Sequence, residues 1–391
     1  MPTTTLPVAD LDLFADEVLL APYDSYRSLR RVGPVVYLGK LGIAAVTSFA
    51  AVRAALRDWQ AFSSTAGIGF NDAMNAPIPG NIVYMEPPEH TEARRAMVAR
   101  LGLGKVRDAI PEANRKADEL VRALRGRGEF DVVHDLAEVF VPAVAGYLLG
   151  IRDELMERFV SFSTAAFNAA GPDNARAAAG LAITREVSDF AATLTKEDMR
   201  PGSVGWDILD AAERGQSPPA MRPFLVLNFM GAAFDTTINA IENLVWLLAA
   251  NPGQWQLLRD NPALADAAVS ESLRIESPLQ VWGRFCHRDA VLAGMIVPAG
   301  TRVGMLLGCA NRDESHYSNP DRFDITRNPT DHLAFGNGIH RCVGAPLANL
   351  ELAAIAGALV RNVRSIELAG PSVRRLNNTT RGFETLPVAI T

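Results

Sequence analysis

The segment that most constrains this chain lies at 335–344 and reads FGNGIHRCVG. Its glycines permit backbone conformations that other residues avoid, and they allow a flat ligand to come close. Cys342 follows this turn and precedes an apolar run at 343–360, which predicts a cysteine at a helix N-terminus. The helix dipole and free N–H groups stabilise a thiolate there, so the segment favours a metal-binding cysteine. A buried structural cysteine beside a glycine turn is the alternative.

Composition narrows the class of protein. The 391 residues are 48% hydrophobic, which is enough for a large core, and the net charge of -6 gives no overall basic character for binding nucleic acid. The cysteines, Cys286, Cys309 and Cys342, are few and odd in number, and their spacing matches no zinc pattern. We therefore expect a protein of a reducing compartment, the cytoplasm, without a disulfide scaffold.

No segment reads as a membrane anchor or a leader. Residues 1–11 are polar and lack a charged region before an apolar run, which is unlike a secretory signal. The longest apolar stretch, 224–250, is interrupted by polar side chains, so it indicates a buried helix of a globular protein rather than a membrane span.

Periodicity predicts a mainly helical chain with small β-sheets, forming one domain over 1–391. Residues 104–125 and 176–199 carry apolar positions at helical spacing. Strand-like runs occur at 35–38, 43–47 and 386–390. The runs at 291–297 and 301–305 flank Pro298-Ala299-Gly300, which predicts a hairpin around that turn.

Three further motifs stand in order with the cysteine segment. Residues 232–237 read AAFDTT, residues 271–274 read ESLR, and residues 320–323 read PDRF ahead of Arg327. Together, over essentially the whole chain, they resemble the cytochromes P450. The resemblance implies the P450 fold, a single haem-containing domain, haem b (iron protoporphyrin IX) as cofactor, Cys342 as the thiolate ligand of iron, and monooxygenase activity.

Several residues take roles from their place in the motifs. Phe335 is positioned to cover the ligand, and Gly344 lets the helix pack against a flat ring. The resemblance implies that Glu271 and Arg274 form a buried structural ion pair, although a surface pair of little value is the alternative. It also implies that the haem propionates are held by cationic groups, each of which alone could be a solvated surface charge: His90, Arg94, Arg284 and His340.

An acid and a hydroxyl interrupt the apolar central helix, where polar groups are costly unless they are satisfied or functional. The resemblance implies that Thr236 donates a hydrogen bond to dioxygen and that Asp235 passes protons toward it. The threonine could instead bond back to a carbonyl four residues earlier, and the two roles are compatible. Ala233 stands where the family often has glycine, so we expect a slightly narrower groove.

The acid–alcohol pair favours reductive activation of dioxygen, and a chain of this length has no room for a flavin or iron–sulfur domain. The resemblance therefore implies a ferredoxin and a ferredoxin reductase as electron donors. Local basic residues are candidates for docking an acidic partner, with a solvated face as the alternative: Arg94, Arg95, Arg100, Lys105 and Arg341.

Within the family, the chain is most similar to the bacterial subfamily that oxidises para-substituted benzoates. The stretches that carry this similarity are 33–38, 277–280, 310–313 and 377–382. By position, an apolar slot for a single-ring substrate is formed by Phe167, Leu279 and Trp282, with Asn228 and Ala232 beside it on the central helix. Ordinary core packing is the alternative for each of these residues.

The chain departs from that subfamily where the substrate carboxylate is held. The helix positions are Leu227, Asn228 and Gly231, and the loop at 63–67 reads SSTAG, without arginine. Burying a carboxylate without such partners is costly. We therefore expect a neutral small aromatic substrate, such as a 4-alkylguaiacol, that is O-demethylated with release of formaldehyde.

Other functions stay open at this point. One is hydroxylation or O-demethylation of a para-substituted benzoate. Another is monooxygenation of a different apolar small molecule, such as a terpenoid or a biosynthetic intermediate. The last is a thiolate-haem sensor or electron carrier, which the Asp235–Thr236 pair and the apolar slot disfavour.

Overall fold

The structure is a computed structural model that describes residues 5–76, 81–100, 103–216, 228–229 and 231–391. Helices dominate it. The α-helices of the described residues are α1 (Asp16–Leu20), α2 (Pro22–Val32), α3 (Phe49–Arg57), α4 (Asp72–Asn75), α5 (Glu89–Arg100), α6 (Leu103–Arg127), α7 (Glu138–Val141), α8 (Tyr147–Leu149), α9 (Asp153–Ala169), α10 (Ala175–Thr193), α11 (Val204–Glu213), α12 (Asp235–Ala250), α13 (Pro252–Asp260), α14 (Ala265–Ile275), α15 (Leu307–Ala310) and α16 (Ala345–Asn362).

The strands form small sheets beside the helices. They are β1 (Val8–Ala9), β2 (Val35–Leu38), β3 (Ile43–Val46), β4 (Phe62–Ser63), β5 (Glu129–Asp131), β6 (Val281–Cys286), β7 (Ala290–Leu292), β8 (Met295–Val297), β9 (Arg302–Leu306), β10 (Ile366–Leu368), β11 (Val373–Arg374), β12 (Phe383–Thr385) and β13 (Pro387–Ile390). The largest sheet has the order β1-β2-β3-β9-β6-β4, and β13 pairs with β10 and β5 in a second sheet.

The hairpin predicted around Pro298-Ala299-Gly300 is wrong. The hairpin joins β7 to β8 around Ala293 and Gly294, which both have left-handed φ angles of 51° and 78°. Ala293 occupies the first position of the turn, where glycine or asparagine usually indicates a hairpin, so the sequence carries no sign of this turn. The predicted turn instead leads into β9, which pairs with β3 and β6, and the Gly300 N–H donates to the Cys286 carbonyl at 2.8 Å.

The predicted long helices are present, with one revised end. Residues 104–125 lie within α6, whereas α10 ends at Thr193, before the predicted 199. Thr195 there starts a new turn, because its backbone N–H donates to the Asp198 carboxylate at 2.9 Å in a capping box. The described part of 224–250 is largely buried and is helical, as the sequence predicts, except for a bend at Phe234.

The main core surrounds α12. Its buried apolar side chains pack with those of α6, α14 and α16, and smaller apolar clusters lie against the largest sheet. Within the described residues, the stretch Val132–Leu149 is long and apolar enough to cross a bilayer, but 61% of it is buried in protein. The core helix of a globular protein has the same composition, so this stretch is weak evidence for a membrane span.

Candidate active site

A cavity of about 380 Å³ lies between the start of α12 and the loop before α16. Most of its lining is apolar, as in pockets for small organic molecules. It brings together most of the predicted site residues: Arg94, Phe167, Asn228, Ala232, Thr236, Leu279, Trp282, Arg284, Phe335, His340, Cys342 and Gly344.

The cysteine loop is closed by its own backbone. The Cys342 N–H donates to the Phe335 carbonyl at 2.9 Å. Gly338 has a φ of 71°, and a Cβ atom there would lie 2.2 Å from the Leu56 carbonyl oxygen. Only glycine fits this position, so the loop can pack tightly against the end of α3.

The Cys342 sulfur faces the cavity and accepts backbone N–H groups. The helix begins at Ala345, two residues after the start of the predicted run at 343–360, so Cys342 lies just before the N-terminus of α16. The N–H groups of Gly344 and Ala345 reach the sulfur. Burial raises the pKa of the Cys342 thiol, and these two N–H groups oppose that rise because they stabilise the thiolate.

Basic side chains gather at one end of the cavity: His90, Arg94, Arg284 and His340. The two imidazole rings lie 4.5 Å apart. Burial and the charge of Arg284 lower the pKa of His340 to about 2, and burial lowers the pKa of Arg284 to about 10. Within the described residues, neither guanidinium forms an ion pair with a carboxylate, and His90 Nε2 is buried without a hydrogen-bond partner. This end of the cavity therefore suits a ligand with anionic groups.

The central helix is interrupted beside the cavity. Residues 231–233 are helical, Phe234 is bent with φ -92° and ψ -68°, and α12 begins at Asp235. The Thr236 hydroxyl faces the cavity and donates to the Ala232 carbonyl at 3.0 Å. Ala233 also lines the cavity, so its methyl group occupies space at the interruption.

Asp235 is buried outside the cavity and is held from two sides. Its Oδ1 accepts the Thr164 hydroxyl at 2.6 Å, and its Oδ2 accepts the Asn239 amide at 2.9 Å. Asn239 Oδ1 accepts Arg375 at 2.9 Å, and Arg375 lies 3.5 Å from the Glu242 carboxylate. A polar network thus runs from Asp235 along two turns of α12.

The comparisons with known proteins decide the family. A profile of the cytochrome P450 family matches residues 224–387. A cytochrome P450 of Rhodopseudomonas palustris, CYP199A2, is 36% identical over 99% of this chain and 95% of its own length. This chain belongs to the cytochrome P450 family. Cytochrome P450 107B1 of Saccharopolyspora erythraea is 34% identical over 79% of this chain and 76% of its own length.

Solved P450 structures match the fold. P450BioI in complex with hexadec-9Z-enoic acid ligated acyl carrier protein superposes with a TM-score of 0.85 at 26% identity, covering 96% of this chain and 100% of that one. CREJ in complex with (4-ethylphenyl) dihydrogen phosphate has a TM-score of 0.82 at 26% identity, covering 95% and 98%. The predicted P450 fold in a single domain is confirmed.

P450 proteins are monooxygenases that bind haem b through a cysteine thiolate, so this chain is a haem-thiolate monooxygenase. The residues of the cavity fit that cofactor. Cys342 carries two N–H donors that favour its thiolate. Within the described residues no carboxylate forms an ion pair with Arg94 or Arg284, although the nearby charge of Glu86 favours the charged form of Arg284. Two propionates would supply carboxylate partners for these guanidinium groups.

The Glu271–Arg274 pair lies on α14 away from the cavity, fully buried. Arg274 Nε and one of its terminal nitrogens donate to the two Glu271 oxygens at 2.7 and 2.8 Å. Arg274 also donates to the Asn311 and Pro320 carbonyls, both at 2.8 Å, and Arg327 lies 3.2 Å from Glu271. The pair thereby ties α14 to the segment ahead of the P450 cysteine loop.

The predicted apolar slot is part of the cavity. The Phe167 and Trp282 rings lie 5.8 Å apart and are tilted by 56°, and Leu279 lines the same space. Leu227 lies outside the described residues. The Asn228 amide nitrogen has no hydrogen-bond partner among them.

The loop at 63–67 makes polar contacts of its own. Ser63 and Thr65 hydroxyls lie 2.8 Å apart, and the Ser64 hydroxyl lies 3.1 Å from His340 Nε2. The described cavity-lining residues include guanidinium groups only at Arg94, Arg284 and Arg341, which belong to the cysteine end.

Sequence reasoning missed two contacts and one acid. The hydroxyl groups of Ser163 and Thr164, on α9, form hydrogen bonds with the interrupted helix. Glu351 lines the cavity, and neither of its carboxyl oxygens has a hydrogen-bond partner within the described residues. Burial raises the pKa of Glu351 well above its usual range. The sequence did carry a signal for Glu351, because a glutamate two turns into an apolar helix is unusual. Ser163 and Thr164 belong to no motif, so the sequence carried no signal for them.

The candidate docking charges are only partly described. Arg95 and Arg341 are exposed, and Arg94 donates to the Arg341 carbonyl at 2.5 Å. The side chains of Arg100 and Lys105 lie outside the described residues. Bacterial P450s of this kind use redox partners such as ferredoxin.

Proposed function

We propose that Cys342 would supply the thiolate that binds the iron of haem b in this cavity and that residues 1–391 form a single haem domain. His90, Arg94, Arg284 and His340 would hold the propionates, Phe335 would cover the cysteine side, and Gly344 would leave room beside the sulfur. The buried His90 Nε2, which has no hydrogen-bond partner within the described residues, and the two guanidinium groups, which donate only to backbone carbonyls there, support the assignment. When bound, the haem supplies the iron at which dioxygen is reduced.

Asp235 and Thr236 would manage protons for this reduction. The Thr236 hydroxyl reaches the cavity from the interruption, and Asp235 lies next to it with contacts on both carboxyl oxygens. One oxygen atom of dioxygen enters a substrate C–H bond, and the other leaves as water after two electrons and two protons are taken up. A sensor or electron carrier would have no use for such an acid–hydroxyl pair.

We propose a neutral, para-substituted methoxyphenol, such as a 4-alkylguaiacol, as the substrate class. The observation that carries this is the apolar slot of Phe167, Leu279 and Trp282, whose described neighbours include no guanidinium outside the cysteine end. A benzoate would bury its carboxylate there without a cation. The CREJ complex, which holds a (4-ethylphenyl) phosphate, supports a P450 cavity of this fold accepting a para-alkyl ring.

The reaction would be O-demethylation. Hydroxylation of the methyl carbon of the ether gives a hemiacetal, which collapses to the phenol and formaldehyde. The product keeps the para substituent, since that group lies away from the attacked carbon. This activity belongs to the breakdown of aromatic compounds.

A ferredoxin and its reductase would supply the electrons, docking near Arg95 and Arg341 on the cysteine side. We place the enzyme in the cytoplasm, because a reducing compartment keeps cysteines free and all three are unpaired in the structure.

Turnover tests the substrate assignment. The purified holoenzyme is supplied with a surrogate ferredoxin, its reductase and NADH. Formaldehyde and the demethylated product are measured with 4-methylguaiacol, which would give 4-methylcatechol, and with 4-methoxybenzoate, which would give 4-hydroxybenzoate. We expect one formaldehyde per catechol from the guaiacol and little formaldehyde from the benzoate. Faster formaldehyde release from the benzoate would contradict the proposal.

A further inference from the structure

A serine hydroxyl from α9 is inserted into the central helix at its interruption. The Asp235 N–H donates to Ser163 Oγ at 2.9 Å, and the same hydroxyl donates to the Gly231 carbonyl at 2.7 Å. In an unbroken α-helix the Asp235 N–H would donate to the Gly231 carbonyl directly. A side chain that enters this ladder is a recognised cause of a kink. Ser163 therefore accounts for the bend at Phe234.

The two helices approach closely enough for this insertion because of a glycine. A Cβ atom at Gly231 would lie 2.6 Å from Cε1 of Phe162. Ser163 is fully buried, and both bonds of its hydroxyl go to the central helix. Its two bonds satisfy a backbone donor and a backbone acceptor that the bend separates.

The next residue of α9 holds the side chain of the same aspartate. Thr164 Oγ1 donates to Asp235 Oδ1 at 2.6 Å, and the Asn239 amide, one turn further along α12, donates to Asp235 Oδ2. Consecutive residues of one helix thus fix both the backbone and the carboxylate of Asp235. Charge-assisted bonds of this length are the stronger kind.

The same helix contributes to the substrate cavity. Phe162, Ala166 and Phe167 of α9 line it, one turn or less from Ser163 and Thr164. A substrate that contacts these side chains therefore contacts α9, the helix whose Ser163 and Thr164 bond to the bent stretch at 232–237.

We infer that Ser163 and Thr164 are positioning residues through which α9 couples the position of the substrate to proton delivery by Asp235. The inference rests on the proposed roles of Asp235 and Thr236, but not on which ring is oxidised. When the contacts fail, dioxygen takes up the same two electrons and two protons and leaves as hydrogen peroxide, and the substrate C–H bond stays intact.

Substitutions of Thr164 test this inference. Thr164→Val keeps the shape of the side chain and removes the hydroxyl donor, whereas Thr164→Ser keeps that donor. Ser161→Ala, which changes an exposed serine of the same helix, is the control. Product and peroxide are measured per NADH consumed, alongside the dissociation constant of the substrate. We expect product per NADH to fall roughly tenfold in Thr164→Val, with peroxide making up the difference, and Thr164→Ser and Ser161→Ala to match the wild type.

A crystal structure of haem-loaded Ser163→Ala gives a readout apart from activity. We expect the bend at Phe234 to close, with the Asp235 N–H donating to the Gly231 carbonyl. A bend that persists unchanged in Ser163→Ala, or a Thr164→Val enzyme with wild-type product per NADH, would overturn the inference. If the wild type oxidises the benzoate instead, the substrate proposal fails, and the same variants are compared on that ring.

Discussion

At the scale of single residues, the polar groups next to the central helix lie on two different sides of it. The cavity side carries Thr236 and the basic end near Cys342, whereas Asp235, Asn239 and Glu242 are buried behind the helix. Of the acid–alcohol pair, the Thr236 hydroxyl reaches the cavity and the Asp235 carboxyl group does not. Proton movement across the helix therefore depends on how these few groups are held.

Glu242 gives a residue-scale prediction of pH dependence. Burial raises its pKa from 4.5 to about 7, against the opposing charge of Arg375. Between these values the folded protein binds a proton that the unfolded chain releases, so this carboxyl contributes less stability as pH rises, and the loss is complete above about 7. The full effect is about 3 kcal/mol.

We therefore expect Glu242→Gln to gain stability relative to the wild type between about pH 5 and about pH 8. The measurement is the midpoint of urea denaturation of the holoenzyme at each pH. Glu367→Gln, exposed on β10, controls for the loss of a surface carboxylate. A difference between Glu242→Gln and wild type that stays flat or narrows with pH would contradict the burial argument.

Individual site residues differ in how far the sequence could predict them. The cysteine loop has fixed spacing, so Phe335, His340, Cys342 and Gly344 were found together, and the structure brings all of them to one cavity. Ser163 could not be predicted, because its contact with Asp235 joins residues 72 positions apart. Such a contact depends on how two helices pack, which no local pattern encodes.

At the scale of elements, the crossing of α9 and the central helix depends on Gly231. A Cβ atom at this position would meet the Phe162 ring, which is itself packed in the core. We expect Gly231→Ala to cost about 1–3 kcal/mol, as overpacked sites do, and to weaken substrate binding by pushing α9 away.

The matched control for Gly231→Ala is Gly253→Ala, in the first turn of α13. Nothing lies within 4 Å of the added methyl there, so the higher helix propensity of alanine should stabilise by up to about 1 kcal/mol. Both variants are measured by urea denaturation and by substrate titration. Equal stability of the two would show that the close approach of Phe162 carries no cost.

Element boundaries were the less predictable part of the fold. Periodicity located α6 and the helical part of the central stretch, because long apolar stripes are strong local signals. The hairpin at 290–297 was assigned to the wrong turn, since Ala293 adopts a left-handed φ without the residue type that normally announces it. The helix α16 begins at Ala345, two residues after the start of the predicted run, because the backbone at Gly344 and Ala345 turns its N–H groups toward the cysteine sulfur.

At the scale of the whole molecule, the chain is acidic overall while Arg95 and Arg341 expose positive charge on the cysteine side. We expect Arg95→Glu to raise the KM for ferredoxin several-fold at low salt and much less at high salt, because exposed charges steer association and are screened by ions. The dissociation constant of the aromatic substrate should not change.

Arg185→Glu, which changes an exposed arginine of α10, is the control for this charge reversal. Steady-state reduction by ferredoxin at two ionic strengths distinguishes the variants. A KM for ferredoxin that rises equally in both would indicate a general effect of net charge and not a docking site near Arg95.

The substrate-induced shift in the haem absorption spectrum tests the central claim most directly, since it reports a ligand entering the slot beside the iron. The holoenzyme is titrated with 4-methylguaiacol and with 4-methoxybenzoate, which both carry a methoxy group on a small ring and differ in charge. The account predicts a large shift and tight binding for the guaiacol, and a weak or absent response to the benzoate. Tight binding of the benzoate with a full spectral shift, and weak binding of the guaiacol, would contradict it.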